Sequence, residues 1–261
     1  MSVSSVPSFE LAHVVDRLRA AGCVFAEDEA VLIAETARDA GELAAMVERR
    51  VAGLPLEHVL GWASFCGLRI AVDPGVFIPR RRTEFLVSEA LRVSQPGSVV
   101  VDLCCGSGAL GVAVAARQSV SLYAADIELA AVSCARRNVL PYGGSVYQGD
   151  LFSALPADLR GRIDILLANV PYVPTDDIRL LPTEARLYEP HVTLDGGRDG
   201  LAVIRRVAAA ARDWLAPGAH LFSEMSARQA PLAAAILAEH GLTSRIAVDD
   251  DLGATVVVGI N

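Results

Sequence analysis

Residues 99–110 read Val-Val-Val-Asp-Leu-Cys-Cys-Gly-Ser-Gly-Ala-Leu, an apolar β-branched run that ends at an acidic residue and a glycine-rich turn. An Ala/Val-rich stretch, Ala109 to Arg117, follows directly. This succession predicts a strand, a loop and a helix. Gly106 and Gly108 let the backbone approach a ligand closely and let the helix pack against the strand. The stretch therefore predicts the first unit of an open α/β sheet with a ligand-binding loop.

Two further strand ends extend this predicted site. The run Ser121 to Ala125 ends in Asp126, about 20 residues past the loop, where an open α/β sheet places a carboxylate on ribose hydroxyls. A third strand around Val146-Tyr147 ends at Gly149-Asp150-Leu151-Phe152, which can border an adenine. The sequence thus predicts a nucleoside cofactor held by three strand ends in order.

The glycine spacing alone does not choose the cofactor. The sequence lacks G-x-x-x-x-G-K-[ST], so a nucleoside-triphosphate loop is unsupported. Gly106, Gly108 and Gly111 have the G-x-G-x-x-G spacing of a dinucleotide site, and NAD remains a competitor on this loop.

A second motif, Asn169-Val170-Pro171-Tyr172, follows the apolar run Ile163 to Ala168. Asn169 Oδ1 and the Val170 carbonyl can each accept one N–H of a planar amino group. Pro171 restricts the turn, and the Tyr172 ring can stack on the group. Hydride transfer needs no such turn. S-adenosylmethionine (SAM) fits both motifs, with an acidic loop residue for its cationic end and an amide clamp for a methyl acceptor.

At these motifs the chain resembles the HemK/PrmC family of class I SAM-dependent protein-(glutamine-N5) methyltransferases. Three more segments carry the resemblance: Leu54–Gly61, Val76–Glu84, and the block from Glu189 to Leu201. The resemblance implies a Rossmann-like, seven-stranded and mostly parallel sheet with a small N-terminal helical domain. It also implies methylation of a glutamine side-chain amide in a protein such as a peptide chain release factor.

Our hypothesis for direct methyl transfer assigns roles to residues of both motifs. Catalysis would involve Asn169, Val170, Pro171 and Tyr172, and SAM would be bound by Asp102, Cys104, Gly106, Gly108, Asp126, Asp150, Leu151 and Asn169. This chain departs from the family at three places. Val170 replaces the first proline of Asn-Pro-Pro-Tyr, Cys104 replaces the first loop glycine, and Arg81-Arg82 replaces a Pro-Glu pair.

Helical spacing of apolar residues predicts three N-terminal helices, over Phe9–Ala21, Glu27–Asp39 and Glu42–Val51. We expect a helical bundle for substrate recognition over residues 1–55, a β-containing linker over 56–82 and the methyltransferase domain over 83–261. Two strands near the C-terminus, Ser244 to Val248 and Ala254 to Ile260, predict an antiparallel edge hairpin.

Composition narrows the class of protein. The net charge of −8 counts against nucleic acid as a partner, because phosphate contacts need a basic surface. The five histidines lack metal-ligand spacing, so we expect no metal. No apolar stretch is long enough to span a membrane, and Met1 to Phe9 lacks a signal-peptide pattern. We therefore expect a cytoplasmic protein without a membrane partner.

Several alternatives stay open on the sequence alone. The amide clamp can also hold an exocyclic amino group of DNA or RNA, or a small molecule in a biosynthetic pathway. A non-catalytic SAM-binding module is a further alternative. Adjacent Cys104 and Cys105 could form a redox pair, or serve as small residues lining a loop. The arginine run Arg80–Arg82 is either a solvated turn or a patch that contacts the substrate.

Overall fold

A computed structural model describes residues 8–261, with side chains described from Leu11 onward. Residues 1–7, which belong to the expected N-terminal segment, lie outside the described part. Three helices come first: α1 (Ser8–Ala20), α2 (Ala26–Thr36) and α3 (Ala40–Val51). Their apolar faces share a core that includes Leu18, Ile33 and Met46. These helices correspond to the three that helical spacing predicts.

The boundary between α2 and α3 differs from the expected one. We expected α2 to continue to Asp39, but it ends at Thr36. Asp39 instead has an extended backbone and caps α3, because its Oδ1 accepts the Glu42 N–H at 2.8 Å. A residue in this capping conformation cannot continue the preceding helix.

A short helix and a hairpin connect these helices to the main sheet. Helix α4 (Leu56–Leu60) leads into the antiparallel strands β1 (Trp62–Phe65) and β2 (Leu68–Ala71). Their two-residue turn, Cys66-Gly67, has positive φ at both positions, as a tight hairpin turn requires. The segment thus contains two short strands and one helix that we did not predict.

The main sheet has seven strands in the spatial order β5-β4-β3-β6-β7-β9-β8. The strands β3 to β7 are parallel, and β9 runs antiparallel to both β7 and β8. This confirms the predicted mostly parallel sheet and its C-terminal edge hairpin. The strand bounds are β3 (Val99–Leu103), β4 (Ser121–Asp126), β5 (Ser145–Gln148), β6 (Ile163–Ala168), β7 (Leu215–Glu224), β8 (Thr243–Asp249) and β9 (Ala254–Ile260).

Helices cover both faces of this sheet. One buried cluster joins the sheet to α5, α6 and α7, and a second joins it to α9 and α10. The short α8 lies in the loop region after β6. The bounds are α5 (Glu84–Leu91), α6 (Ala109–Ala115), α7 (Leu129–Val139), α8 (Thr183–Tyr188), α9 (Ala202–Trp214) and α10 (Ala230–Glu239). Covering both faces accounts for the continuous apolar runs of the central strands.

The strand order positions the functional site. The chain builds outward from β3 through β4 to β5 and then returns to place β6 on the other side of β3. At such a switch point the loops leave in opposite directions and open a crevice beyond the carboxyl ends of the strands. The glycine-rich turn after β3 and the Asn-Val-Pro-Tyr turn after β6 therefore lie at the same crevice. No helix among residues 8–261 has the length and apolar character needed to cross a membrane.

Candidate active site

A cavity of about 560 Å³ lies at the carboxyl ends of β3 to β6. Its volume falls in the usual range for small-molecule and cofactor sites. Nine of the predicted site residues line it: Cys104, Gly106, Asp126, Asp150, Leu151, Asn169, Val170, Pro171 and Tyr172. Asp102 and Gly108, which we also expected in the cofactor site, are not among the residues of the cavity wall. The two sequence motifs thus meet in one cavity.

Asp102 supports the glycine-rich loop from behind. Its side chain is buried, and its Oδ2 accepts the Gly111 N–H at 3.0 Å. Burial raises the pKa of Asp102 to about 8. This carboxyl group therefore ties the end of β3 to the first turn of α6.

Asp126, at the end of β4, shapes the same loop. Its Oδ2 accepts the Gly106 N–H at 2.8 Å, and its Oδ1 accepts the Glu128 N–H at 3.0 Å. Burial is the main cause of a raised pKa at this carboxyl group. Asp126 nevertheless reaches the cavity wall, so it can both hold the loop and face a ligand.

Two glycines of the loop are required by close packing. Gly108 has a φ of +77°, and an added Cβ would lie 2.8 Å from Val139 Cγ2. A Cβ at Gly111 would lie 2.6 Å from Leu122 Cδ1. These positions let α6 pack tightly on the sheet, which is the structural role of glycines in such loops. Gly111 therefore packs the helix, so its spacing is no specific sign of a dinucleotide.

Cys104 adopts a conformation that usually belongs to glycine. Its φ is +53°, in the left-handed region, although it carries a side chain. Burial raises the pKa of its thiol to about 12 and raises that of Cys105 well above the ordinary value. Both thiols are therefore protonated at neutral pH, which favours their role as small lining residues over a reactive pair.

The end of β5 contributes a third part of the wall. Leu151 also has a left-handed backbone, with a φ of +50°. The neighbouring Asp150 carboxylate pairs with Arg206 of α9 at 2.5 Å. Both residues of the pair line the cavity. Arg206 was not among the predicted site residues, because it lies in a helix far along the chain from the two motifs.

Asn169 carries the clearest sign of a ligand. Its Oδ1 is buried without a hydrogen-bond partner in the described part of the chain. Leaving such an acceptor unpaired costs about 1–3 kcal/mol, so native proteins rarely tolerate it without a reason. A half-turn of the carboxamide exchanges its oxygen and nitrogen. The group can therefore offer either a donor or an acceptor to a molecule in the cavity.

Tyr172 is held at both ends. Its hydroxyl donates to Glu224 Oε1 at 2.7 Å and accepts from Arg82 Nη2 at 2.9 Å. Its carbonyl accepts from Gln229 Nε2 at 2.8 Å. Burial, followed by the nearby Glu224 carboxylate, raises the pKa of the phenol. The ring is thus neutral and fixed. Neither Glu224 nor Gln229 was among the predicted site residues.

The three arginines of the run after Pro79 differ in their surroundings. Arg80 pairs with the buried Glu189 carboxylate at 2.5 Å, and Arg82 pairs with Glu224. Arg80 and Arg82 line the cavity, whereas Arg81 is exposed and is not among the residues of the cavity wall. Two members of the run therefore belong to the cavity wall. Glu189 Oε2 is buried without a hydrogen-bond partner among residues 8–261.

Within residues 8–261, no group of three or more His, Cys, Asp and Glu side chains could hold a metal ion.

Comparison with known proteins agrees with this geometry. Residues 67–188 match the model of the family described as "Methyltransferase small domain". A release factor glutamine methyltransferase of Geobacter sulfurreducens is 38% identical over 225 residues, which cover 84% of this chain and 78% of that protein. One from Gloeobacter violaceus is 40% identical over 205 residues, covering 76% and 71%.

Solved structures resemble the fold. The Mtq2-Trm112 complex of E. cuniculi, described as responsible for methylation of the eRF1 termination factor, matches with a TM-score of 0.53 at 23% identity. The match covers 72% of this chain and 98% of that one. A methyltransferase from Pyrococcus furiosus matches with a TM-score of 0.57 at 13% identity, covering 83% and 96%.

The fold is that of class I methyltransferases, as the resemblance implied. The enzyme class is SAM-dependent methyltransferase, and the cofactor is SAM. At 38% identity over 78% of a curated relative's length, the chain belongs to the family of release factor glutamine methyltransferases.

Proposed function

We propose that this enzyme transfers a methyl group from SAM to the side-chain amide nitrogen of a glutamine in a peptide chain release factor. Relatives named for this activity at 38–40% identity support the choice of acceptor. The observation that carries it within the structure is the unpaired, buried Oδ1 of Asn169 in the cavity wall. A planar amide nitrogen carries two N–H groups, and each needs an acceptor.

The residues of the cavity fit the cofactor. Left-handed or glycine backbone at residues 104, 106 and 151 leaves room for a nucleoside beside the strand ends. We propose that Cys104, Gly106, Asp126, Asp150, Leu151 and Asn169 contact SAM, while Asp102 and Gly108 support the loop from behind. The bound cofactor supplies an electrophilic methyl group on a cationic sulfur.

The acceptor side of the cavity performs the positioning. An amide nitrogen is a weak nucleophile, because its lone pair is delocalised. Asn169 Oδ1 and the Val170 carbonyl would accept its two N–H groups and stabilise positive charge that develops on the nitrogen. Pro171 restricts the turn, and the Tyr172 ring lies beside the amide. Held in this way, the nitrogen would face the methyl group that bound SAM would supply, and the methylated amide would release one proton to water.

Two further expectations belong to this proposal. The helices α1 to α3, within the expected segment 1–55, would contact the protein substrate. Their core is separate from that of the sheet, and the turn between α1 and α2 exposes Val24 and Phe25. The reaction would take place in the cytoplasm, where release factors act on ribosomes.

A methyl-transfer assay tests the proposal. Purified release factor, its glutamine-to-alanine variant, total RNA and DNA are each incubated with methyl-tritiated SAM, and label is mapped by mass spectrometry. Label on the glutamine amide is expected for wild type. Asn169→Ala should lower kcat about 100-fold or more, the usual scale for one electrostatic contact. Gln118→Ala, which removes an amide away from the cavity, is the matched control.

Other outcomes would replace the proposal. Label on nucleic acid would assign the enzyme to the nucleic-acid class. SAM binding by calorimetry without label on any macromolecule would favour a small-molecule acceptor or a non-catalytic module. Equal turnover of Asn169→Ala and wild type would refute the role of the amide clamp.

A further inference from the structure

Arg82 joins three elements at the rim of the cavity. It lies in the 3-10 turn Arg81–Thr83 that precedes α5. Its Nε donates to Glu224 Oε1 at 2.8 Å, and its Nη2 donates to the Tyr172 hydroxyl at 2.9 Å. Because the Tyr172 hydroxyl also donates to Glu224 Oε1, the three groups form a closed triangle of hydrogen bonds. The rigid fork of a guanidinium group suits such a bridge.

The buried carboxylate of Glu224 needs the charge compensation that this triangle provides. It is the last residue of β7, and its side chain is 3% exposed. Its second oxygen, Oε2, accepts from the Thr83 hydroxyl at 2.6 Å. A carboxylate buried this deeply is stable when a cation and hydrogen-bond donors compensate its charge. Arg82 supplies the cation while 49% of its own side chain stays exposed.

The triangle of hydrogen bonds holds the hydroxyl group of Tyr172. The other end is held by Gln229, whose Nε2 donates to the Tyr172 carbonyl. Without the triangle, the backbone would remain anchored but the ring could rotate about its side-chain torsions. Tyr172 and Asn169 both line the cavity, so a change in the orientation of the ring would change the space left for an acceptor.

We propose that Arg82 is a positioning residue, which acts through Glu224 and the Tyr172 hydroxyl to hold the aromatic ring against the acceptor amide. The inference rests on the proposed function for its kinetic consequence. Arg82 contacts the ring's hydroxyl and its carboxylate partner, so its loss should change turnover rather than SAM affinity.

A double-mutant cycle tests the route of action. Arg82→Ala and Tyr172→Phe should each lower kcat roughly tenfold, with the KM for SAM within about twofold of wild type. Residues that act as one unit are strongly non-additive. The double variant should therefore be no slower than the slower single variant. Independent effects, which would multiply to roughly a hundredfold loss, would overturn the proposal. Arg81→Ala, at the exposed neighbouring arginine, is the matched control and should leave kcat unchanged.

A second readout does not depend on turnover. The chain is labelled with 3-fluorotyrosine, and the Tyr172 signal is assigned by its absence in Tyr172→Phe. The 19F signal should be a single narrow line in wild type and in Arg81→Ala. It should shift or broaden in Arg82→Ala, with and without S-adenosylhomocysteine. An unchanged signal in a folded Arg82→Ala protein would refute the positioning role, even if glutamine methylation is confirmed.

The two readouts distinguish the positioning role of Arg82 from the proposed methylation of a release factor. A changed 19F signal together with no methylation of release factor would leave the positioning role standing and remove the proposed acceptor. If Arg82→Ala fails to fold, Arg82→Lys serves instead, since it retains a cation for Glu224 without the planar fork. That variant should still shift the Tyr172 signal and lower kcat, and wild-type values for both would overturn the proposal.

Discussion

The Ser223 hydroxyl of β7 donates a 2.7 Å hydrogen bond to the carbonyl oxygen of Ala168, the last residue of β6. Both residues are fully buried. This bond fixes the backbone position from which the Asn-Val-Pro-Tyr turn starts. The acceptor side of the cavity therefore depends on a side chain that faces no ligand.

Ser223→Ala should destabilise the fold and slow the enzyme. The change leaves the Ala168 carbonyl without this buried partner, at a cost of about 1–3 kcal/mol. Urea unfolding gives the free energy, and the methyl-transfer assay gives kcat. Ser133→Ala is the control, because Ser133 makes a similar bond to the Leu129 carbonyl on the exposed face of α7. Equal stabilities of the two variants would contradict the expectation.

Cys104 should tolerate glycine but not valine. Its left-handed backbone costs about 1–2 kcal/mol for a residue with a side chain. Glycine relieves this cost but loses side-chain contacts, so Cys104→Gly should stay within about 1 kcal/mol of wild type. A β-branched residue fits this region poorly, and Cys104→Val should cost about 2 kcal/mol or more. Cys23→Val, at a position with ordinary φ, is the comparison in thermal unfolding. A smaller loss for Cys104→Val than for Cys23→Val would show that the backbone is not strained.

Asp102→Asn should change how stability depends on pH. The folded pKa of about 8 lies above the ordinary 3.8. Between these values the folded state holds a proton that the unfolded chain has released, so this group's contribution to stability falls as pH rises. Asparagine does not titrate. The variant's unfolding free energy relative to wild type should therefore increase from pH 5 to pH 8.

Urea titrations at both pH values measure this difference. Asp158→Asn, at an exposed carboxylate, provides the control. A constant difference between Asp102→Asn and wild type across the range would contradict the buried, protonated state.

Arg50→Ala should destabilise the protein far more than an exposed arginine does. Arg50 and Glu29 form a 2.6 Å pair with each side chain 11% exposed, and Arg50 also binds Glu184 of α8 at 2.7 Å. Removing one partner of a buried pair typically costs about 3–5 kcal/mol. Arg38→Ala breaks a pair with Glu42 in which the arginine is 85% exposed, so solvent screens the pair and the loss of stability should be far smaller. Denaturant unfolding of both variants checks the contrast, and equal losses would contradict it.

Much of the fold could be predicted because its signals are local. The apolar runs of β3 and β6 lie between covering helices, so they are continuous in the sequence. Helix α8 gave no such signal, since no residue of its short span is buried. It is held by the Arg50–Glu184 pair, whose partners lie 134 positions apart. Tertiary contacts of this kind leave no periodic trace in a single sequence.

The candidate site likewise has a part that the sequence predicts and a part that it does not. Parallel strands end at one edge of the sheet, so residues after β3, β4, β5 and β6 could be assigned to one cavity. Whether a given side chain faces the cavity could not be predicted from the sequence. Asp102 bonds to Gly111 behind the loop instead of reaching the wall. The partners of Tyr172 were also hidden, because Arg82 lies 90 positions before it and Glu224 lies 52 positions after it.

Most of the hydrogen bonds that hold the Asn-Val-Pro-Tyr turn come from residues that are synthesised after the turn. Three supports of the turn, Ser223, Glu224 and Gln229, follow it in the chain by more than fifty residues, whereas Arg82 precedes it. A ribosome therefore makes every residue that lines the cavity, the last of them Arg206, before it makes these three supports. A nascent chain at that stage would have a place for the methyl donor and no ordered place for the methyl acceptor. The order of synthesis thus postpones these hydrogen bonds until β7 and Gln229, the residue before α10, have been made.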